Sequence, residues 1–412
     1  MSTSTTPSVE SAASPERSTF ISWLAVFSIM LGIFSIVTTE ILPIGLLTSI
    51  GSSFAISDGM AGLMMTMPGL LAAVSAPVVT VATGHVDRRV MLSVFLLLLS
   101  SANFLAAVAS SYTLVLISRV MVGVTIGGFW SIGAGLARQL VPAKSVGRAT
   151  SVIFSAVPLG SVLGVPLGTF IGDAAGWRTA FLAVGGFTLA VLVLLLAVVP
   201  PLPSDRATRL DVLGGMLRSV GTRFALLMTV LVVLAHFGTY TYVTPFLEQV
   251  THVGSGALTI YLLIYGAAGI AGNFLGGSAV GRHPRSTFAA AAAMIAAATL
   301  LLPVLGRSDA GAVVLLAVWG VAYGAVPVCS QTWFSKAAPD SPEASSVLFT
   351  ASFQATLSIG ALAGGAVLDR SSPSTVMALG GLTAALMVAV VWAHWAGRFA
   401  WPKSAQELSG RP

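Results

Sequence analysis

Long apolar runs separated by short polar breaks fill most of the chain. A bilayer core of about 30 Å is crossed by about 20 apolar residues in a helix, and the breaks at glycine, proline and charge clusters leave twelve runs long enough. In chain order, span 1 to span 12 are predicted at 20–48, 60–83, 90–109, 112–137, 149–171, 179–199, 224–247, 257–281, 286–305, 312–334, 344–367 and 375–397. The pattern predicts an all-α membrane protein.

The longest polar break between spans separates two sets of six. It covers 200–223, opens with three prolines in four residues and continues with mixed charges. We therefore expect two pseudo-symmetric six-helix bundles, 20–199 and 224–397, joined by a cytoplasmic linker. Tails at 1–19 and 398–412 lie outside the bundles, and the Ser/Thr/Pro-rich first tail is expected to be disordered rather than a signal peptide. Two parallel six-span repeats with a site between them are a transporter architecture.

Composition supports the membrane assignment and limits the function classes. Hydrophobic residues make up 56% of the 412 residues and charged residues 8%, which excludes a soluble domain of this size. Sixteen of the twenty Lys and Arg residues fall in segments that this topology puts in the cytoplasm, so both termini are expected there. The net charge of +6 therefore reflects membrane orientation and not a nucleic-acid partner. Cys329 is the only cysteine, which excludes an internal disulfide and a cysteine metal cluster.

Three ionisable residues at membrane depth are predicted to serve proton coupling. Glu40 is the only ionisable residue in 20–47, and a carboxylate escapes much of the cost of burial by taking a proton. Arg119 lies at a similar depth in span 4, so either a switching partner of Glu40 or a permanent salt bridge between helices fits the pattern. His236, midway along span 7, fits a proton carrier or a hydrogen-bonded structural histidine.

Aromatic and amide side chains inside the spans are predicted to bind a solute. Rings that carry a hydroxyl or indole donor suit a sugar or another flat polar molecule, although they also occur at membrane interfaces. Amides at membrane depth fit either solute contacts or hydrogen bonds between helices. The predicted binding residues are Trp130, Tyr240, Tyr242, Asn273, Gln331 and Gln354.

Two further groups are predicted to control gating. A charge cluster after span 2 fits a latch that pairs across the halves, or an ordinary loop; it consists of Asp87, Arg88 and Arg89. Glycines four residues apart expose bare backbone on one helix face, which fits static packing or a sliding surface between rocking halves. They are Gly160, Gly164 and Gly168 in span 5, with Pro166 as a bend, and Gly360 and Gly364 in span 11.

The chain resembles the major facilitator superfamily in its 6+6 layout, its Asp87-Arg88-Arg89 loop, its Ser118-Arg119-Val120 segment and its glycine-proline motif in span 5. Within that family it is similar to the twelve-span drug:proton antiporters. Four segments are most like bacterial sugar efflux transporters and next most like purine ribonucleoside efflux pumps: 39–47, 129–132, 176–181 and 235–246. The loop departs from the usual motif, since Thr83 replaces a glycine and Val90 and Met91 follow Arg89.

The resemblance implies a multi-pass protein of the bacterial inner membrane that works as a monomer by alternating access. The expected function is proton-coupled efflux of a small polar solute, with the proton gradient as energy source and no cofactor. A sugar or glycoside is the first choice of solute, and a nucleoside or a drug is the alternative. An uncoupled facilitator is the alternative mechanism. The sequence contains no nucleotide-binding loop, metal-ligand spacing or nucleophile elbow, so an enzyme is not expected.

Overall fold

The structure, a computed structural model, describes residues 19–83, 86–133, 136–203, 215–337 and 342–395. Almost all of the two predicted tails and the middle of the predicted linker, 204–214, lie outside these ranges. The described residues form helices, turns and loops, and twelve helical stretches are long and apolar enough to cross a membrane. The predicted all-α membrane fold with twelve spans is confirmed.

The helices of the first half are Thr19–Phe54, Asp58–Ala61, Leu63–Ala82, Arg88–Val108, Tyr112–Gly133, Ala137–Leu140, Val146–Phe154, Ala156–Ala175 and Trp177–Val198. Those of the second half are Val220–Tyr240, Val243–Phe246, Ser255–Val280, Pro284–Leu305, Asp309–Ala337, Pro342–Leu368 and Pro373–Trp395, with a π-helical turn at Leu247–Thr251. Span 2 is built from the pair Asp58–Ala61 and Leu63–Ala82, and span 5 from Val146–Phe154 and Ala156–Ala175.

The ends of the spans follow local chemistry. The Asp87 side chain accepts a hydrogen bond from the backbone N–H of Arg89 and so caps the start of span 3. Gly176, at φ 85°, makes the tight connection between spans 5 and 6 in a conformation that favours glycine. The main departure from the predicted spans is span 7, whose helix ends at Tyr240 instead of running to 247.

The two halves pack their spans in the same pairs. Span 1 packs on spans 5 and 6, span 2 on span 4, and span 3 on spans 4 and 6; spans 7 to 12 repeat these pairings in the second half. The halves meet through spans 2 and 11 and through spans 5 and 8, which are equivalent pairs. The membrane face at which span 1 ends, beside Phe54, is called the far face below, and the opposite face the near face.

The glycine ridges pack within each half, so the sliding surface between halves suggested for them is wrong. Gly160 faces Val37 and Gly168 faces Leu42, which places the span 5 ridge on span 1. Gly364 lies on the backbone of Gly238, which places the span 11 ridge on span 7. The surfaces that do join the halves are Gly266 against Val162 and Gly69 against Ser358. Static close packing therefore explains the ridges.

Candidate functional site

Two prolines leave backbone carbonyls open beside the buried Arg119. A proline has no N–H, so the carbonyl four residues before it loses its helical partner. Pro43 leaves the carbonyl of Thr39 open in span 1, and Pro68 leaves that of Met64 open in span 2. Arg119 donates to both carbonyls, through Nη1 at 3.0 Å and Nε at 2.9 Å. The arginine thereby supplies the backbone hydrogen bonds that the prolines remove.

Arg119 donates its third hydrogen bond to the backbone of Glu40 and not to the Glu40 carboxylate. Its Nη2 lies 3.0 Å from the Glu40 carbonyl oxygen, and its side chain is fully buried. The guanidinium thus ties spans 1, 2 and 4 together within the first half. The two residues lie at the same depth, as predicted, and the permanent salt bridge between helices is not formed in this structure.

The Glu40 carboxylate bonds instead to the second half. Its Oε1 accepts a hydrogen bond of 2.9 Å from Nε2 of Gln354 in span 11, and both side chains are buried. The Arg119 charge still interacts with Glu40 through space. The charged group of the first half therefore contacts the other half through a neutral amide, at a point where spans 2 and 11 come close.

The second half carries a stack of near-parallel aromatic rings around His236. The rings of Tyr323, Tyr240 and Tyr265 lie within 19° of the imidazole plane, and the Tyr323 centroid is 3.4 Å from that of His236. Trp319 stands edge-on to the stack and donates from Nε1 to Nδ1 of His236 at 3.1 Å. Tyr323 also packs edge-on against Phe237, which packs on Phe353, the residue before Gln354. The stack and the Glu40–Gln354 pair form one central site.

Several polar atoms of this site lack a partner within the described residues. They are Nε2 of His236, the hydroxyl of Tyr265 and Oε1 of Gln354, all fully enclosed. A buried polar atom without a hydrogen bond costs about 1–3 kcal/mol, so native structures rarely keep one without a reason. Three such atoms around one cluster indicate a place where a polar ligand or water completes the bonding.

At the far face, side-chain hydrogen bonds join the halves. Asp369 of span 11 accepts from the Ser57 hydroxyl at 2.9 Å and from the Gly59 N–H at 3.0 Å. Three further bonds link the halves there or slightly deeper: Gln249 to Asp58, Thr48 to Glu248, and Thr244 to the carbonyl of Ile44. The far face is therefore closed across the two halves.

At the near face, the bonds of the predicted latch that the structure describes lie within its own half. Asp87 caps span 3, and the backbone N–H of Arg88 donates to the Leu202 carbonyl at 2.8 Å. Arg89 donates from Nη2 to the Leu196 carbonyl at the end of span 6. These bonds do not form the predicted pairing across the halves, because helix ends in the first half provide the partners.

The structure separates the predicted solute-binding residues. Tyr240 and Gln354 belong to the central site, whereas the Tyr242 hydroxyl donates to the Ala361 carbonyl at 2.6 Å beside the far-face contacts. The helix ends at Tyr240 and Tyr242 lies in the turn that follows it, so the two side chains do not share a helix face. Asn273, Gln331 and Trp130 do not join the stack: Asn273 lies where span 8 crosses span 10, Gln331 is exposed, and Trp130 packs partly buried in the first half.

Sequence reasoning missed Tyr265, Trp319 and Tyr323, which complete the stack. It also missed Asn103 in span 3, whose Nδ2 donates to the Thr39 hydroxyl at 3.0 Å. The sequence did contain a signal for the stack residues, because a Tyr or Trp deep in a span carries a polar atom that needs a partner. The partners of Arg119 also had a signal, since Pro43 and Pro68 mark open carbonyls four residues earlier.

Comparison with known proteins identifies the class to which this fold and central site belong. The family model of the Major Facilitator Superfamily matches residues 22–353, and the chain belongs to that family of membrane transporters. It is a transporter and not an enzyme.

Two solved structures show the same fold at low sequence identity. A bacterial homolog of the human lysosomal transporter Spinster, inward-facing and occupied, is 17% identical with a TM-score of 0.73; the match covers 92% of this chain and 98% of that one. The human organic anion transporter MFSD10 (TETRAN) is 15% identical with a TM-score of 0.65, over 90% of this chain and 99% of that one.

Proposed function

We propose that this chain is a proton-coupled efflux transporter that exports a small polar solute, most simply a sugar or glycoside, by alternating access. It would lie in the bacterial inner membrane as a monomer, with both termini in the cytoplasm, so that the far face is the outer face. The proton gradient would be the energy source.

The observation that carries the proposal is the bond between Glu40 and Gln354. It joins the titratable carboxylate of one half to the other half, so a proton on Glu40 changes a contact that the rocking movement must break. A carboxylate held by an amide also makes no direct salt bridge with Arg119, because the Arg119 hydrogen bonds go to backbone carbonyls. Glu40 would take a proton from the outer side and release it inside.

The closed far face supports an inward-facing state for this structure. Five hydrogen bonds join the halves at that end, while the described partners of Asp87 and Arg89 lie within the first half. The solute would enter from the cytoplasm and reach the aromatic stack and the Glu40–Gln354 pair. Stacked rings with hydroxyl and imidazole groups favour a flat or cyclic polar solute.

The test compares Glu40→Gln with the wild type in proteoliposomes that carry a pH gradient. The amide keeps an oxygen for Gln354 but does not titrate. We expect normal solute exchange and no gradient-driven accumulation in the variant, with a panel of methyl glucoside, lactose, adenosine and ethidium as solutes. Asp309→Asn, the same change at an exposed carboxylate, is the matched control.

Two results would change the assignment. Accumulation at the wild-type rate in Glu40→Gln would exclude Glu40 as the coupling group. Wild-type transport that ignores collapse of the gradient would make the protein an uncoupled facilitator. Preference for adenosine or ethidium over the sugars would replace the solute class and leave the coupling proposal in place.

A further inference from the structure

We propose that Trp319 holds His236 as a neutral hydrogen-bond donor, whose Nε2–H recognises an oxygen of a sugar-like solute. His236 then serves recognition and carries no coupling proton, in contrast to the expectation from the sequence. The recognition part rests on the proposed export of a neutral polar solute. The part on the protonation state of His236 does not.

The direction of one hydrogen bond fixes the tautomer of His236. The indole nitrogen of tryptophan is a donor only, so the N–H of Trp319 must point to a lone pair on its partner. That partner is Nδ1 of His236, at 3.1 Å. A neutral imidazole has one acceptor nitrogen and one donor nitrogen, so Nε2 must carry the proton.

The same contact opposes a second proton on the imidazole. Protonation of Nδ1 would turn two N–H groups toward each other across 3.1 Å. Trp319 is fully buried, with its ring edge-on to those of Tyr240 and Tyr265, so it has no room to turn away. His236 is therefore kept neutral by packing as well as by its hydrogen bond.

Among the described residues, no charged proton acceptor is in direct contact with His236. The titratable side chains around it are the phenols of Tyr240 on the same helix, Tyr265 from span 8 and Tyr323 from span 10. Span 11 contributes Phe353, which packs on Phe237. The carboxylate of the site, Glu40, bonds to Gln354, so His236 lies outside the Glu40 hydrogen bonds.

The free Nε2–H indicates what kind of ligand atom fits. It is enclosed and has no partner within the described residues, and the hydroxyl of Tyr265 in the same stack is in the same situation. A hydroxyl or ring oxygen accepts from Nε2–H, and a neighbouring hydroxyl of the same sugar can bond to Tyr265. An amine cation offers no acceptor. Tyr323, partly exposed and lying on the imidazole, would have to turn aside for the solute to make this contact.

The direct test is nitrogen NMR of the purified, histidine-labelled protein between pH 5 and 8. The chain has five histidines, and the signal that disappears in His236→Gln is that of His236. We expect it to show a neutral ring with the proton on Nε2 throughout this range. A proton on Nδ1, or a doubly protonated ring within this range, would overturn the proposal.

Variants separate the effect of Trp319 on the protonation of His236 from the role of His236 in solute binding. In Trp319→Phe the imidazole should begin to titrate between pH 5 and 8, whereas Trp392→Phe, at an exposed tryptophan, should leave it unchanged. If Trp319→Phe does not fold, the wild-type spectrum still decides the tautomer. An imidazole that stays neutral in folded Trp319→Phe would refute the claim that Trp319 keeps His236 neutral.

Binding of methyl glucoside to purified protein tests whether His236 recognises the solute. His236→Leu should bind it about tenfold more weakly, and His236→Gln, which keeps a donor near the Nε2 position, should stay within about threefold of the wild type. Equal affinities in His236→Leu and the wild type would refute recognition by His236. If the wild type itself does not bind the probe, the sugar class fails, and the NMR result still decides whether Trp319 fixes His236.

Discussion

Span 1 and span 7 hold equivalent places in the two halves, yet they bring different chemistry to the centre. Span 1 carries Glu40 beside a guanidinium that bonds only to backbone carbonyls. Span 7 carries His236 in a stack of neutral rings. The same helix packing therefore supports a titratable site in one half and a site of neutral donors and acceptors in the other.

The difference between the halves suggests how the two tasks of the proposed coupled transporter are divided. A charge at membrane depth needs fixed dipoles around it, and the first half provides them through a proline-broken backbone and Arg119. A solute that must be released needs contacts that are specific but replaceable, and aromatic faces with a few polar atoms provide those. Changes in the first half should therefore affect folding and coupling, and changes in the second should affect affinity.

The largest expected effect is the loss of Arg119. Arg119→Leu leaves the carbonyls of Thr39 and Met64 without partners and removes three charge-assisted hydrogen bonds, each of about 1.5–3 kcal/mol. We expect little folded protein, measured as the monodisperse fraction in size-exclusion chromatography. Arg307→Leu removes an exposed arginine that also bonds to a carbonyl, and it should leave the yield unchanged. A normal yield of Arg119→Leu would refute the structural role of the guanidinium.

The glycine ridges of the two halves should differ in tolerance. A Cβ at Gly364 would overlap the Gly238 carbonyl oxygen, whereas at Gly164 the nearest atoms are those of the Ile41 side chain at 3.1 Å and the Thr38 Cα at 3.2 Å. Gly364→Ala should lower stability by about 1–3 kcal/mol, and Gly164→Ala by less, since its neighbours need to move much less to make room. Thermal unfolding in detergent measures both, with Gly186→Ala as control because no atom lies within 4 Å of its added Cβ. Equal losses at the two ridges would contradict this reasoning.

Removal of a ring from the stack should affect affinity more than folding. Tyr323 is partly exposed and lies face to face with His236. Tyr323→Leu should keep most of the buried apolar area and weaken solute binding about 10–100-fold, with the coupling of transport to the pH gradient retained. Binding and gradient-driven uptake, measured on the same preparation, check both parts. Loss of coupling at unchanged affinity would contradict the division between the halves.

The smallest effect concerns the far face and its pH dependence. Burial raises the pKa of the Glu248 carboxyl above 4.5; the Thr48 hydrogen bond opposes the shift, and the Asp58 and Asp173 charges add to it. A raised pKa means that the closed face gains stability below the ordinary glutamate pKa and loses it as pH rises through the raised value. Because Glu248 is partly exposed, this loss should stay below about 1 kcal/mol.

Thermal unfolding of the wild type and Glu248→Gln across this pH range tests the sign. The wild type should become less stable as the pH rises, and the difference between the two proteins should follow the titration of one carboxyl. A difference that does not change with pH, or a wild type that gains stability relative to the variant as pH rises, would contradict the assignment.

The sequence was sufficient for most of the fold, because prolines, glycines and charges mark the places where apolar helices end. It also placed Glu40 and Arg119 at the same depth from counting alone. It did not separate Tyr240 from Tyr242, because span 7 was predicted as one helix to 247 and the turn after Tyr240 was not expected. The bond between Glu40 and Gln354 had no sequence signal, because it joins residues 314 positions apart through the packing of the two halves.

The hydrogen bonds from Arg119 to backbone carbonyls have an electrical consequence. Its charge stays in place whatever Glu40 does, so the pair is neutral overall when Glu40 is ionised and carries one positive charge when Glu40 is protonated. One elementary charge moved across the membrane responds to voltage with about 2.3 kcal/mol per 100 mV. The membrane potential would then act on the protonated form and ignore the ionised one, which gives each half of the transport cycle a different dependence on voltage.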